Sequence, residues 1–368
     1  MVSTSKFLII RNTIFIPMKI FYPKSHYNKA HRGLLFPLLK PFIKVEGFTD
    51  AKRIATYGVS EKDFHITELI DEADVVVLTM AWNYYIKTKQ EALANNFIKE
   101  CAKINKKVIA VNAGDFGVGT PYFKNLIILR SSGYKSKFTN NEYALPAFMV
   151  DPLKKYFNTT EIFEKPFFAR PVVGFCGQAN PSLLNAGKEI ISTGLRNLKS
   201  YMGVSNNEVQ QVLSTSFLRA SVLKTLQNSE DVETNFILRK KYRAGVTTNK
   251  DAHKSTLEFY NNLKDSQYVV CVRGAGNFSV RLYETLAMGR IPVFVNTDCA
   301  LPFDNLIDWK SHVVWVEAKE IDKIGEKIID FHYSLSSLDF IDLQKTNRQL
   351  WEGKLTLNGF FKNYQSIN

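Results

Sequence analysis

Residues 272–298 read VRGAGNFSVRLYETLAMGRIPVFVNTD. The apolar run QYVVCV at 267–272 leads into Arg273, a turn with two glycines follows, and Ser279 stands where a helix would open. Leu282, Tyr283 and Leu286 then recur at helical spacing, Gly289 ends the helix, and IPVFVN at 291–296 supplies a second buried strand. Strand, turn, helix, strand is the repeating unit of a parallel sheet covered by helices, so this stretch points to an α/β fold.

The same alternation extends in both directions. Strand-like runs occur upstream at 19–23, 73–80, 107–112 and 126–130, with an amphipathic helix over 88–105. After EKPFFARP at 164–171, where two prolines break the periodicity, strands are expected at 172–177, 235–239, 267–274, 291–296 and 312–317. Helices fit between them at 184–200, 207–227, 254–266, 279–289 and 319–331. A chain of 368 residues exceeds one ordinary core, and roughly 150 residues per domain gives two. The expected domains are 1–165 and 166–337, with 338–368 as a closing helical segment that packs back on the first.

Lys and Arg outnumber Asp and Glu by 48 to 35, a net charge of +13, which favours anionic partners without choosing among them. Cys101, Cys176, Cys271 and Cys299 are scattered and form no C-x-x-C pair, so neither a metal knuckle nor a disulfide framework is expected. The apolar start is interrupted by Lys6, Arg11 and Lys19, so it holds no membrane span, and residues 1–17 read as an arm before a first strand at MKIFYP. A cytoplasmic protein is the expectation.

Three readings compete for the glycine turn. Gly274 and Gly276, with Asp298 following 24 residues after Gly274, imitate a dinucleotide fingerprint and hence an NAD(P)-dependent enzyme. Against it, the third glycine is replaced by Ser279 and the strand is not the first of its domain. A plain turn is the second reading: Ser279 caps the helix, and Arg281 and Glu284 pair on its surface. The third reading takes account of Arg273, which ends a strand just where the next helix presents its amino end. A guanidinium beside helix amides suits a diphosphate, and Glu284 toward the cleft could accept ribose hydroxyls. Arg239 and Arg243, in the basic run FILRKKYRAG at 236–245, belong to the same half of the chain, and LRSSGYKSK at 129–137 is a second basic cluster.

Residues 265–309, with the ordered pattern RG, SxRxYE, GxIPV, LPF and DW, resemble the nucleotide-binding core of exostosin-type glycosyltransferases. NEYALPAFMVDP at 141–152 and RPVVGFCGQ at 170–178 extend the resemblance upstream. It implies a GT-B architecture, two Rossmann-like domains facing a cleft, and an inverting, metal-independent transfer of sugar from a nucleotide-diphosphate donor, UDP- or GDP-linked, to a growing glycan. No D-x-D motif occurs, so Arg273, the amides after Ser279, and Arg239 and Arg243 would neutralise the leaving diphosphate. Gly274, Gly276 and Asn277 would shape the loop, Glu284 would hold ribose, Arg281 would support the site, and Asp298 would meet the donor sugar.

An inverting transfer needs one base from the first domain. Asp115 in NAGDFG at 112–117 is the first candidate, followed by His26 and Glu142. The chain reads as a soluble bacterial or viral relative, without a metal or other cofactor. Its acceptor would be a glycan or lipid-linked glycan, with the basic surface near anionic lipid on the cytoplasmic membrane face and no nucleic acid partner. The rival from another class is a non-catalytic protein binding nucleic acid or an anionic surface, supported by the charge of +13 alone.

Overall fold

A computed structural model describes residues 17–44, 47–239, 245 and 249–364. Two parallel sheets carry the chain. The first comprises β1 (Met18–Phe21), β2 (Phe64–Ile66), β3 (Val75–Val77), β4 (Val108–Asn112), β5 (Leu126–Arg130) and β6 (Glu142–Ala144), in the order β2-β1-β3-β4-β5-β6. The second comprises β7 (Val172–Gln178), β8 (Glu233–Arg239), β9 (Tyr268–Cys271), β10 (Ile291–Asn296) and β11 (Val314–Glu317), in the order β11-β10-β9-β7-β8. Every strand pair is parallel. The central strands β3, β4, β5, β9 and nearly all of β10 are buried along their length, as strands covered on both faces must be.

Helices α1 (Asp50–Tyr57), α2 (Trp82–Thr88) and α3 (Glu91–Lys103) accompany the first sheet, and α4 (Pro152–Phe157) follows it. The second sheet carries α5 (Leu183–Tyr201), α6 (Thr215–Gln227), α7 (Asn249–Asp265), α8 (Val280–Ala287) and α9 (Ile324–Tyr333). On α4, Leu153 is buried in a small cluster with Tyr260, Leu263, Val269 and Met288, so from Pro152 onward the chain already packs on the second sheet.

The chain then returns. α10 (Ser337–Leu350) leads through a π-helical turn at Trp351–Leu355 to α11 (Leu357–Lys362). Phe360 and Phe361 pack against Phe148 and Phe36 of the first domain, and Lys362 pairs with Asp63 at 2.7 Å. Arg348 on α10 forks onto both oxygens of Asp151 at 3.0 and 2.6 Å, and the fully buried Arg290 reaches Gln344. This returning segment holds the two sheets on one scaffold.

The expected helix over 207–227 begins only at Thr215. Residues before it are extended because they dock on the first domain: Asn207 bridges Val118, Glu208 N donates to Gly117 O, and Gln210 donates to Phe116 O. All four cysteines are buried and free, and burial pushes Cys271 and Cys299 up to about 12. Among the described residues no helix is long and apolar enough to cross a membrane.

Candidate functional site

Strand order locates a crevice before any residue is considered. In the second sheet β7 and β9 are neighbours, yet the chain leaves β7 toward β8 on one side and leaves β9 toward β10 on the other. Connections that diverge in this way open a gap beyond the carboxyl ends of the two strands, where open α/β sheets hold ligands.

Arginines crowd that edge. Arg219, on α6, donates to Gln178 O at the end of β7 (3.3 Å) and to Arg273 O just past β9 (2.8 Å), so it spans the crevice. Arg281, in the first turn of α8, donates to Cys176 O at 2.8 Å and lies over the Phe175 ring at 4.2 Å. Burial pulls its guanidinium below the ordinary value. Arg239 ends β8 and pairs with Glu258 at 2.6 Å. The Nε atoms of Arg239, Arg273 and Arg281 are buried without a hydrogen-bond partner, an arrangement that an anion's oxygens would relieve.

The turn after β9 meets the first domain directly. Gly274 N donates to Phe278 O at 3.1 Å, closing the turn on itself. A Cβ on Gly276 would stand 2.7 Å from Asp115 O and 2.9 Å from Asp115 Cα, so only glycine permits this approach. Asn277 is 1% exposed and joins three loops. Its Nδ2 reaches Gly133 O (3.0 Å), Thr297 O (3.0 Å) and Asp298 O (2.9 Å), its Oδ1 accepts from Thr297 Oγ1 (2.6 Å), and its backbone N donates to Ser132 Oγ (2.8 Å). Arg273, 4% exposed, donates to the Tyr134 hydroxyl at 3.3 Å. Arg130 completes the contact, pairing with Glu142 at 2.6 Å and, across the junction, with Glu208.

Residues 168–329 match the family model described as the Exostosin GT47 domain. They span β7 to α9 and contain all four arginines of the crevice. Over these residues the chain is similar to the exostosin GT47 domain. Among curated proteins it is similar to a rice (Oryza sativa subsp. japonica) protein named "Probable glucuronosyltransferase", 33% identical over 66 residues, 18% of this chain and 16% of that one. It is also similar to "Exostosin-1" of Drosophila melanogaster, 29% identical over 90 residues, 24% of this chain and 11% of that one. The chain thus spans about a sixth or less of the length of these relatives. A solved structure of a UDP-N-acetylglucosamine 2-epimerase candidate from Listeria monocytogenes superposes over 96% of this chain and 97% of that one, at 10% identity and a TM-score of 0.28. The strand order, rather than this superposition, defines the α/β architecture.

The anticipated residues divide into groups. Arg273, Gly274, Gly276 and Asn277 come together in the turn after β9, with Asp115 against it from the first domain. Arg239 is part of the arginine edge, whereas Arg243 lies outside the described residues. Glu284 is half-buried on α8 and accepts from the Tyr260 hydroxyl at 3.3 Å, while Tyr260 stacks on Tyr156 at 4.7 Å.

Several expectations are corrected. Ser279 occupies the N-cap position of α8, but its side chain makes no capping bond. Arg281 points inward to the ends of β7 and β9 rather than to cleft or solvent, and so fixes the crevice floor. Asp298 is half-buried on the wall of the cleft next to the turn, where its carboxylate also accepts from Ser136 N at 3.1 Å and Ser136 Oγ at 2.5 Å, with a left-handed φ of 63°. Glu142 is tied to Arg130 and Thr139, which leaves it unsuited to be a base. His26, the second candidate for the base, is a buried core residue: it sits between Tyr85 and Phe97, and burial lowers its pKa.

Sequence reasoning passed over Arg219, Gln178 and Tyr134 as site residues. Arg219 falls inside an ordinary helical stretch, and only the fold reveals that its side chain crosses two strand ends. Beyond the turn, a cleft of about 340 Å³ lined by Lys135, Asn296, Asp304, Asp308, Lys310 and Trp315 continues the carboxyl edge toward β10 and β11.

Proposed function

We propose that the chain is an inverting, metal-independent glycosyltransferase that moves a sugar from a nucleotide-diphosphate donor to a glycan hydroxyl. The observation that carries the reading is the convergence of Arg219, Arg239, Arg273 and the amino end of α8 on the β7/β9 crevice, inside the residues that match the Exostosin GT47 domain. In this reading the diphosphate lies at the crevice, with Arg273 and Arg219 neutralising the charge that grows on it as the glycosidic bond breaks. Neutralisation by fixed guanidiniums and helix dipole replaces a bound cation. Glu284, steadied by the Tyr260 hydroxyl, accepts ribose hydroxyls, and no further cofactor is required.

The transfer is a single displacement. Asp115 takes the proton of the acceptor hydroxyl, the oxygen attacks the anomeric carbon opposite the diphosphate, and the bond to the diphosphate oxygen breaks. One displacement inverts the anomeric centre. Asp115 is exposed, and its backbone touches Gly276 in the turn that would cradle the leaving group. A cytoplasmic setting with a lipid-linked acceptor fits the charge of +13.

The test incubates wild type and Asp115→Asn with UDP- and GDP-sugars and candidate glycan acceptors in the presence of a chelator. Wild type should release nucleoside diphosphate and yield the inverted anomer. Asp115→Asn should bind donor unchanged and transfer roughly a hundredfold more slowly or worse. Equal turnover by the variant refutes the base assignment, and turnover abolished by the chelator refutes the metal-independent reading.

A further inference from the structure

Helix α5 is amphipathic with its faces reversed. Leu183, Leu184, Ile191, Leu195, Leu198 and Tyr201 fall within an arc of about 120° on a helix of ~100° per residue, a stripe that would ordinarily face the core. Here it faces outward: Leu184 is 81% exposed, Ile191 64% and Leu198 52%. The inward face is small or polar. Ala186 is buried, Asn197 exchanges two hydrogen bonds with the backbone of Gln210, and Glu189 accepts from the hydroxyls of Ser214 and Ser216.

Inward polar bonds fix the rotation of α5, so the exposed leucines cannot be a helix waiting to roll over. Exposed apolar residues scattered singly need no explanation, but a continuous stripe along 19 residues does. Lys188 and Lys199 are exposed along one edge of it, and the sole acid of the helix, Glu189, is turned inward. An outward apolar stripe edged by lysines is the form of a helix that lies in a bilayer interface.

We propose that α5 docks the protein flat on an anionic lipid surface. The chain's charge of +13 selects this occupant: it is attracted to anionic headgroups and repels a second copy of itself. The geometry serves the cleft as well. α5 starts at Leu183, five residues past the end of β7, so its amino end lies beside the crevice mouth. A docked α5 would bring the crevice close to the headgroup layer, where a lipid-linked acceptor presents its sugar. This last point rests on the glycosyltransferase reading, whereas the docking itself does not.

The test is co-sedimentation of the full chain with phosphatidylcholine vesicles, with and without phosphatidylglycerol, and without nucleotide or glycan. Binding should require phosphatidylglycerol and weaken with salt. L184S/I191S/L198S should weaken it roughly a hundredfold. K188Q/K199Q, which leaves the apolar stripe intact, should weaken it roughly tenfold and serves if the first variant folds poorly. Equal sedimentation of both variants with wild type overturns the proposal. So does a wild-type dimer in vesicle-free solution that L184S/I191S/L198S converts to monomer, because the stripe would then be a self-association surface. Thermal stabilisation of L184S/I191S/L198S by a nucleotide sugar, measured separately, keeps failure of docking distinct from failure of the donor site.

Discussion

Asn277→Asp changes one atom and reverses the hydrogen-bonding sense of the clasp between the domains. The amide Nδ2 shares two protons among three carbonyl oxygens at 2.9–3.0 Å, in a site where Asn277 is 1% exposed. A protonated carboxyl restores one donor in place of two. The loss in acid is therefore about 1–2 kcal/mol, one or two neutral hydrogen bonds. The ionised form is far worse, because it places a negative charge against three carbonyl dipoles out of water. The introduced carboxyl thus keeps its proton in the folded state above the unfolded value of about 3.9. Between those two values the unfolded chain has released a proton that the folded chain retains, so stability falls as pH rises, by about 1.4 kcal/mol per pH unit. From about pH 4 to about pH 7 the added loss has a ceiling of about 4 kcal/mol, and local opening of the clasp lowers it. Urea unfolding of wild type, Asn277→Asp and Asn277→Ala across this range measures it, with hydrogen exchange of segments 131–138 and 273–280 reporting local opening. The deficit of Asn277→Asp relative to wild type should grow with pH, whereas that of Asn277→Ala should be flat. An Asn277→Asp deficit that is absent at neutral pH, or independent of pH, refutes the shared-amide clasp.

Two further expectations follow from the junction and the core. Gly276→Ala places a methyl 2.7 Å from Asp115 O, a contact that backbone must relieve by about 1–3 kcal/mol of strain. Small-angle scattering should show the domains further apart, with transfer slowed; a variant as compact and as active as wild type would contradict the close approach. His26 and His332 both have pKa values lowered by burial, so stability present above the ordinary value near 6.5 is lost as pH falls through their lower folded values. Imidazole proton shifts followed by NMR should give midpoints below 6.5 for both, and a midpoint at or above it would contradict the buried environments.

The alternation of strands and helices was legible because buried parallel strands such as VVGFCGQ and IPVFVN are continuous apolar runs that turns bound sharply. Strand β2 escaped notice because three residues, FHI, carry no period. Residues 207–214 read as the start of a helix, yet hydrogen bonds to Gly117 and Phe116 across the junction override local propensity. Helix α5 shows the limit from another side. Its periodicity is plain in the sequence, but a period gives the width of an apolar face and not what that face meets. At the site, Arg273 could be picked out because it ends a strand before a helix, while Arg219 and Asn277 act through partners distant in sequence.

The claim on which the rest depends is that the donor lies at the β7/β9 crevice. Titration calorimetry with a panel of UDP- and GDP-sugars, using wild type, Arg219→Gln and Glu284→Ala, tests it directly. One nucleotide class should bind wild type, and each variant should weaken that binding roughly tenfold to a hundredfold, as expected for a lost charged hydrogen bond of about 1.5–3 kcal/mol. Binding of every variant as tight as that of wild type, or no binding of any nucleotide sugar to wild type, would contradict the account.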